Sequence, residues 1–334
     1  MNRFRTIVTW PSIRPLLLLA ALIAVFAIAD GSQHRFLTLS SAYGVLQQFA
    51  LLGPLALALG LTMMAGEFDL SIGGIVSFAG CAAVIAGATH PVVGIAAAIV
   101  AGALAGLTQA AIMTRLRLHS VGVTLGGLLT LGGLAYVITD NQTIIFPHMN
   151  VVMAVTNPIW AIFSLRSLVA IAMFAVAAFL ASGTRWGRDL LATGSDRRAA
   201  RVAGVRVDAV LCVTFCVAGM INATTGALLS FSLAAASPVG LAETLVPAAA
   251  AAIIGGVSLS GGRGRPTGIA AGALVLCVLR SGLTAIGASP HLQNIATGGL
   301  LVAVAIFDGY DLERRVYGLR AWLRAGRARA SRAV

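Results

Sequence analysis

The chain has 334 residues, of which 58% are hydrophobic and only 10% charged, and its formal net charge is +12. A water-soluble domain carries roughly 25% charged residues, so a soluble globular enzyme is excluded, and intrinsic disorder is excluded by the high hydrophobicity. Apolar runs recur along the whole length. A single anchor on a soluble domain is therefore excluded too, and the fold class that remains is all-α, a polytopic transmembrane helix bundle.

At the N-terminus, Arg3, Arg5 and Arg14 flank the apolar run that starts at Leu16, and Ala27-Ile28-Ala29 before Asp30 has the small-residue pattern of a signal-peptide cleavage site. The many apolar segments that follow favour a retained first span. Breaks at charges, prolines and polar clusters give ten segments: 15–31, 43–65, 72–89, 92–113, 121–139, 160–182, 208–230, 242–259, 267–286 and 291–308. With the N-terminus in the cytoplasm, every arginine between or beyond these segments except Arg35 falls on the cytoplasmic side, and Arg166 and Arg280 fall within or at the edge of segments. That asymmetry is what the positive-inside rule predicts. An odd number of spans would place one basic tail outside, so about ten spans with both termini cytoplasmic is expected. The domains are then a cytoplasmic tail at 1–14, a transmembrane domain at 15–309 and a basic cytoplasmic tail at 310–334. The last tail is expected at the anionic surface of the lipid bilayer. The net charge marks membrane orientation rather than a nucleic-acid partner. Small-xxx-small spacings such as Gly102–Gly106 and Gly268–Gly272 suit close helix packing in lipid.

Three segments carry more than span information. The first, Gly66-Glu67-Phe68-Asp69-Leu70-Ser71-Ile72-Gly73-Gly74, sets two carboxylates between apolar runs. Charge at membrane depth is costly and often functional, and irregular backbone there must be buried in protein or line a cavity. The competing reading is an ordinary turn in which Asp69 and Ser71 cap the next helix. The second is the hydrophilic stretch Arg185 to Asp208, in which Asp196 to Gly204 reads as a short surface helix that Ser195 or Asp196 caps, presenting Arg197, Arg198 and Arg201. It is either a solvated loop of topogenic arginines or a docking helix for a cytoplasmic partner. The third, Gly255 to Pro266, is a Gly-rich turn that faintly echoes the first as G-x-x-x-L-S followed later by Gly-Gly.

The cationic residues are all arginine; the sequence has no lysine. A phosphate-binding GxxxxGK[ST] loop is therefore excluded, as is Schiff-base chemistry. If ATP drives this protein, another chain hydrolyses it. Cys81, Cys212, Cys216 and Cys277 lie in apolar runs and the five histidines lack zinc spacing, so no metal and no cofactor is expected. No catalytic constellation stands out.

Together the three segments resemble the membrane permease subunit of bacterial ATP-binding-cassette importers of the ribose/xylose/galactose type. Gly66 to Gly73 resembles that family's G-G-I-D-L-S-V-G stretch, and 193–205 resembles G-x-N-x-x-A-A-x-x-x-G-I, with Gly194, Asp196, Ala199, Ala200 and Gly204 in register. The stretch 261–289 resembles the G-G-K/R-G-x-x-x-G-x-x-x-G-A segment. The chain departs from the pattern at Glu67, where glycine is usual, at Ser195-Asp196, and at Arg280, for which Glu243 is the first candidate partner. The resemblance implies two permease subunits forming a pathway, as a homodimer or with a second permease subunit. It also implies separate cytoplasmic ATP-binding subunits and a periplasmic substrate-binding protein, in the bacterial inner membrane. The substrate class implied is a monosaccharide or small polyol, moved by alternating access. The implied ATPase-coupling residues are Gly194, Asp196, Arg197, Arg198, Arg201 and Gly204. Candidates for pathway or gate are Glu67, Asp69, Ser71, Asn222, Thr225, Glu243 and Arg280, with Thr224, Ser230 and Ser232 also on span seven. The alternatives are an ion-coupled secondary carrier using Glu67, Asp69 and Glu243, and a branched-chain amino acid permease of the same superfamily.

Overall fold

The computed structural model describes residues 13–31, 35–239 and 244–308. Glu243 and most of both terminal tails lie outside the described residues. A helix occupies each of the ten apolar segments. In chain order these are α1 (Ile13–Ala29), α2 (Leu39–Met64), α3 (Ile72–Ala86), α4 (Pro91–Leu116), α5 (Ser120–Thr139), α7 (Leu165–Gly183), α10 (Val207–Ser232), α11 (Leu245–Ile254), α12 (Pro266–Ala285) and α13 (Pro290–Asp308). Among the described residues, six of them (α2, α4, α5, α7, α10 and α12) are long and apolar enough to cross a membrane, and α1, α3 and α11 are shorter apolar helices. Helix α13 belongs to a second compact unit that begins at Pro290.

Three further helices and a two-stranded antiparallel pair lie between these. Strands β1 (Ile144–Ile145) and β2 (Ala235–Ala236) pair antiparallel, Ile144 opposite Ala236. Helix α6 (Met149–Thr156) follows β1, and α8 (Arg185–Ser195) and α9 (Arg197–Val202) fill the hydrophilic stretch read as one loop with one short helix. Phe146 beside β1 stacks on Phe231 of α10 with ring centroids 4.2 Å apart, which joins the strand pair to the bundle.

The core sits among α2, α3, α10, α11 and α12, whose residues are largely buried, while α5 and α7 leave most of their apolar side chains at least partly exposed. Glycines set the closest approaches. A Cβ at Gly102 or Gly106 of α4 would lie 2.3 Å from the Gly219 carbonyl oxygen or 2.0 Å from that of Phe215, so α4 and α10 touch backbone to backbone. Gly272 of α12 is equally close to the Ala251 carbonyl of α11. The small-residue spacings are thus packing contacts, as lipid-embedded helices require. At the other edge, Phe26 of α1 fills the space over Gly282 of α12.

Helices α2 and α11 end alike. Gly66 and Gly256 take left-handed φ of 78° and 87°. Glu67 N–H donates to the Thr62 carbonyl and Val257 N–H to that of Ala252, both at 3.0 Å. Each is the six-to-one closure of a glycine C-cap. The sequence echo aligns Gly66 with Gly255, whereas the caps align Gly66 with Gly256, so the echo reflects a shared helix ending out of register by one residue.

Candidate functional site

The turn after α2, the α8–α9 corner and the turn before α12 converge at one end of the bundle. Gly194, near the end of α8, is the hub. A Cβ there would lie 2.0 Å from the Met64 carbonyl oxygen and 2.6 Å from the Gly262 nitrogen. Gly262 N–H donates to that same Met64 carbonyl at 3.0 Å. At Gly261 a Cβ would lie 2.7 Å from both the Gly194 carbonyl oxygen and the Gly66 Cα. No side chain fits between these three backbones, and Gly66, Gly261 and Gly262 also hold left-handed φ, which glycine alone adopts without strain.

A side-chain tie closes the cluster. Arg197, first residue of α9, places its guanidinium 2.5 Å from Glu67 Oε1 and 3.4 Å from the Gly66 carbonyl oxygen. Glu67 is 9% exposed, so the extra charge at this position is met by a partner from the surface helix. Asp196 caps α9, its Oδ1 accepting from the N–H groups of Arg198 and Ala199 at 2.8 and 3.1 Å. Arg201 reaches Asp208 at 3.1 Å with both side chains exposed. Gly204 ends the segment at φ 86°. Arg198 stays on the surface.

Asp69 and Ser71 take the capping role. Asp69 is 2% exposed, and its Oδ1 accepts from Ser71 N–H at 2.8 Å and from the Ser71 hydroxyl at 2.6 Å, just ahead of α3. Burial pushes the Asp69 carboxyl above the usual carboxylate range, opposed by those two hydrogen bonds. The loop also leans on α5, a contact with no sequence signal of its own. Phe68 N–H donates to Ser120 Oγ at 3.3 Å, Leu70 N–H donates to Thr124 Oγ1 at 3.0 Å, and the Thr124 hydroxyl reaches the Phe68 carbonyl at 3.3 Å.

The other expected pathway residues do not join this cluster through any hydrogen bond or ion pair among the described residues. Asn222 on α10 is 0% exposed, and neither its Oδ1 nor its Nδ2 has a hydrogen-bond partner. Thr225 donates to the Ile221 carbonyl of its own helix at 2.7 Å. Arg280 buries its Nε without a partner among the described residues, and the Glu243 expected to pair with it lies outside them. Ser232 accepts from Arg166 at 2.9 Å. Among the described residues no cluster of three His, Cys, Asp or Glu side chains is placed to hold a metal ion.

The family model for the permease component of branched-chain amino acid transport systems matches residues 41–305, which include every residue of the cluster. The chain belongs to that family. Within this permease family, it is 28% identical to the L-arabinose ABC transporter permease protein AraH of Azospirillum brasilense, over 88% of this chain and 87% of the relative. It is 26% identical to the ribose import permease protein RbsC of Escherichia coli K12, over 87% of this chain and 92% of the relative. It is 28% identical to the autoinducer 2 import system permease protein LsrC of Photorhabdus luminescens, over 89% and 90%. No solved structure matches. The chain is thus a multi-pass membrane permease component of the family the sequence motifs pointed to.

Proposed function

We propose that this chain is the membrane-spanning subunit of an ATP-driven importer that moves a monosaccharide or small polyol across the bacterial inner membrane. The observation that carries the reading is the convergence of the three motif turns on Gly194, tied by Arg197 to Glu67. A surface helix pair wedged by backbone contact into two helix ends passes a push from below into the bundle with little lost in side-chain play. The pusher is a separate ATPase, since a chain without lysine has no phosphate-binding loop of the GxxxxGK[ST] kind. The ten helices are read as ten spans with both termini cytoplasmic, because every arginine between or beyond the ten apolar segments except Arg35 then falls on the cytoplasmic side. A second permease subunit and a periplasmic binding protein complete the assembly. The sugar class rests on relatives named for L-arabinose and ribose.

The ion-coupled alternative draws on Glu67, Asp69 and Glu243. Glu67 is paired with Arg197 and Asp69 is engaged by Ser71, which leaves both poorly placed to bind and release a driving ion. The test is purification from native membranes in mild detergent. A stoichiometric ATP-binding protein should accompany the chain, and uptake of labelled pentose should compete with ribose or arabinose and not with leucine. Accumulation of sugar against a gradient by the isolated chain in proteoliposomes would overturn the reading.

A further inference from the structure

Helices α7 and α10 both pack on α2 but barely touch each other. Between them lies a cleft of about 310 Å³ with α2 as its floor, lined by Leu61, Met173, Val176, Leu180 and Val217 and, from α8, by Trp186. No charged, hydroxyl or amide side chain lines it. Ala172 and Val176 at its mouth are exposed, so it opens on the face that a spanning α7 turns to lipid. At one end Arg166 of α7 donates to Ser232 of α10 at 2.9 Å, and at the other Trp186 closes it. Along α7 the lining runs from Val169 to Leu180, about 16 Å at the rise of an α-helix. One leaflet of the hydrocarbon core is about 15 Å deep.

Helix α8 sits over the Trp186 end. The Thr184 hydroxyl donates to the Leu180 carbonyl at 2.6 Å, and a Cβ at Gly187 would lie 2.0 Å from the Ala181 carbonyl oxygen. So α8 turns back directly on the end of α7, which fixes Arg185 and Arg188 on either side of Trp186 in the chain. Both arginines are exposed and, three residues apart, share a helix face. Neither enters an ion pair among the described residues, although Asp189 follows them. A sugar finds no hydrogen-bonding side chain in such a cleft. An apolar slot one leaflet deep, with two guanidinium groups at its interfacial end, matches a molecule with an acyl chain and an acidic head. We propose that the cleft seats an anionic phospholipid of the cytoplasmic leaflet, one acyl chain along α7 and the headgroup phosphate on Arg185 and Arg188. The planar fork of arginine suits phosphate oxygens, and the indole of Trp186 sits at the headgroup level that tryptophan favours. Helix α8 runs from this site to Gly194, so an occupied cleft braces the helix that carries the hub.

The experiment reconstitutes the full chain in phosphatidylcholine vesicles with rising fractions of phosphatidylglycerol brominated on its acyl chains, bromine being a contact quencher of indole fluorescence. The Trp186 signal is the difference between the unsubstituted chain and Trp186→Phe, which removes the contribution of the other three tryptophans. The expected result is half-quenching at a several-fold lower mole fraction of brominated phosphatidylglycerol than of brominated phosphatidylcholine. Arg185→Gln and Arg188→Gln should each raise that fraction about fivefold, the attraction of one basic residue to an anionic leaflet. Arg115→Gln, which removes the same charge at the end of α4, should leave it unchanged. Ala172→Phe, which fills the mouth of the cleft, should weaken quenching by both lipids. Equal quenching by the two lipids means an unselective lipid annulus and overturns the proposal, as does an effect of Arg115→Gln equal to that of Arg185→Gln. Quenching by neither lipid means that a second copy of the chain covers the cleft, and quenching untouched by Ala172→Phe places the lipid elsewhere; each overturns it. The arginine variants alter exposed side chains only, so the test stands even where Ala172→Phe fails to fold. The readout involves neither sugar nor ATP and is independent of the importer reading.

Discussion

Gly194 illustrates how one atom's worth of space can hold a site together. A methyl group there would lie 2.0 Å from the Met64 carbonyl oxygen, which belongs to backbone and cannot swing aside. Gly194→Ala should destabilise the assembly by about 1–3 kcal/mol, as overpacking does, seen as a lower midpoint in thermal unfolding in detergent; an unchanged midpoint would remove Gly194 from the hub. The Arg197–Glu67 tie makes a separate prediction. Arg197→Glu or Glu67→Arg alone should weaken co-purification of the ATP-binding subunit, and the double reversal should restore it in large part. Failure of the double variant to recover would mean the residues act independently. Asp69 carries a pH signature. Its carboxyl is raised by burial, so the folded state holds the proton more tightly than the unfolded chain does. Stability then declines as pH rises from the ordinary carboxylate value through the raised one. Asp69→Asn keeps an acceptor for Ser71 and removes the buried charge. It should flatten the fall of the melting midpoint as pH rises above the ordinary carboxylate range, and a wild-type slope in the variant would refute the assignment.

At the level of elements, α5 touches both the motif loop and α4. Its first turn holds the loop of Glu67 through Ser120 and Thr124, and its middle confines Gln109 through Gly127. The double substitution Ser120→Ala with Thr124→Val should cost about 1–3 kcal/mol and, in the assembled transporter, loosen the link between ATP hydrolysis and uptake. Measured as sugar moved per ATP, the ratio should fall while ATPase association persists; an unchanged ratio would sever α5 from the relay. The helices themselves were legible in sequence because long apolar runs broken by charge leave little else to form in lipid. The cap of α9 was legible as well, since an Asp side chain accepts from the first N–H groups of a helix and glycine takes the left-handed φ that ends the segment. Helix α8 was not, because Arg185, Arg188 and Asp189 made an amphipathic surface helix look like solvated loop. The β1–β2 pair was not either, as two-residue strands show no period. The carboxylate pair at 67 and 69 was visible, but its division into one tie and one cap depended on Arg197 arriving from a distant part of the chain.

For the whole molecule, family membership came from motif order and spacing, and the structure adds what those motifs do together. Three short stretches separated by long apolar runs meet at one end, where arginines concentrate. The relatives are named for arabinose, ribose and autoinducer 2, and the family for branched-chain amino acids. One scaffold thus accompanies several cargoes among the relatives.

The contact between α4 and α10 has a consequence of a different kind. Where Gly102, Gly106 and Gly219 let two backbones touch, no side chain lies between them to change rotamer. An interface of that sort has one arrangement, whereas one built of long side chains has several. A device that alternates between two shapes needs a stator against which its moving parts are measured, and this pair has the construction of one. Its amides should be the last in the chain to exchange with deuterated water, in resting and working states alike, while those of α5 answer to the state of the machine.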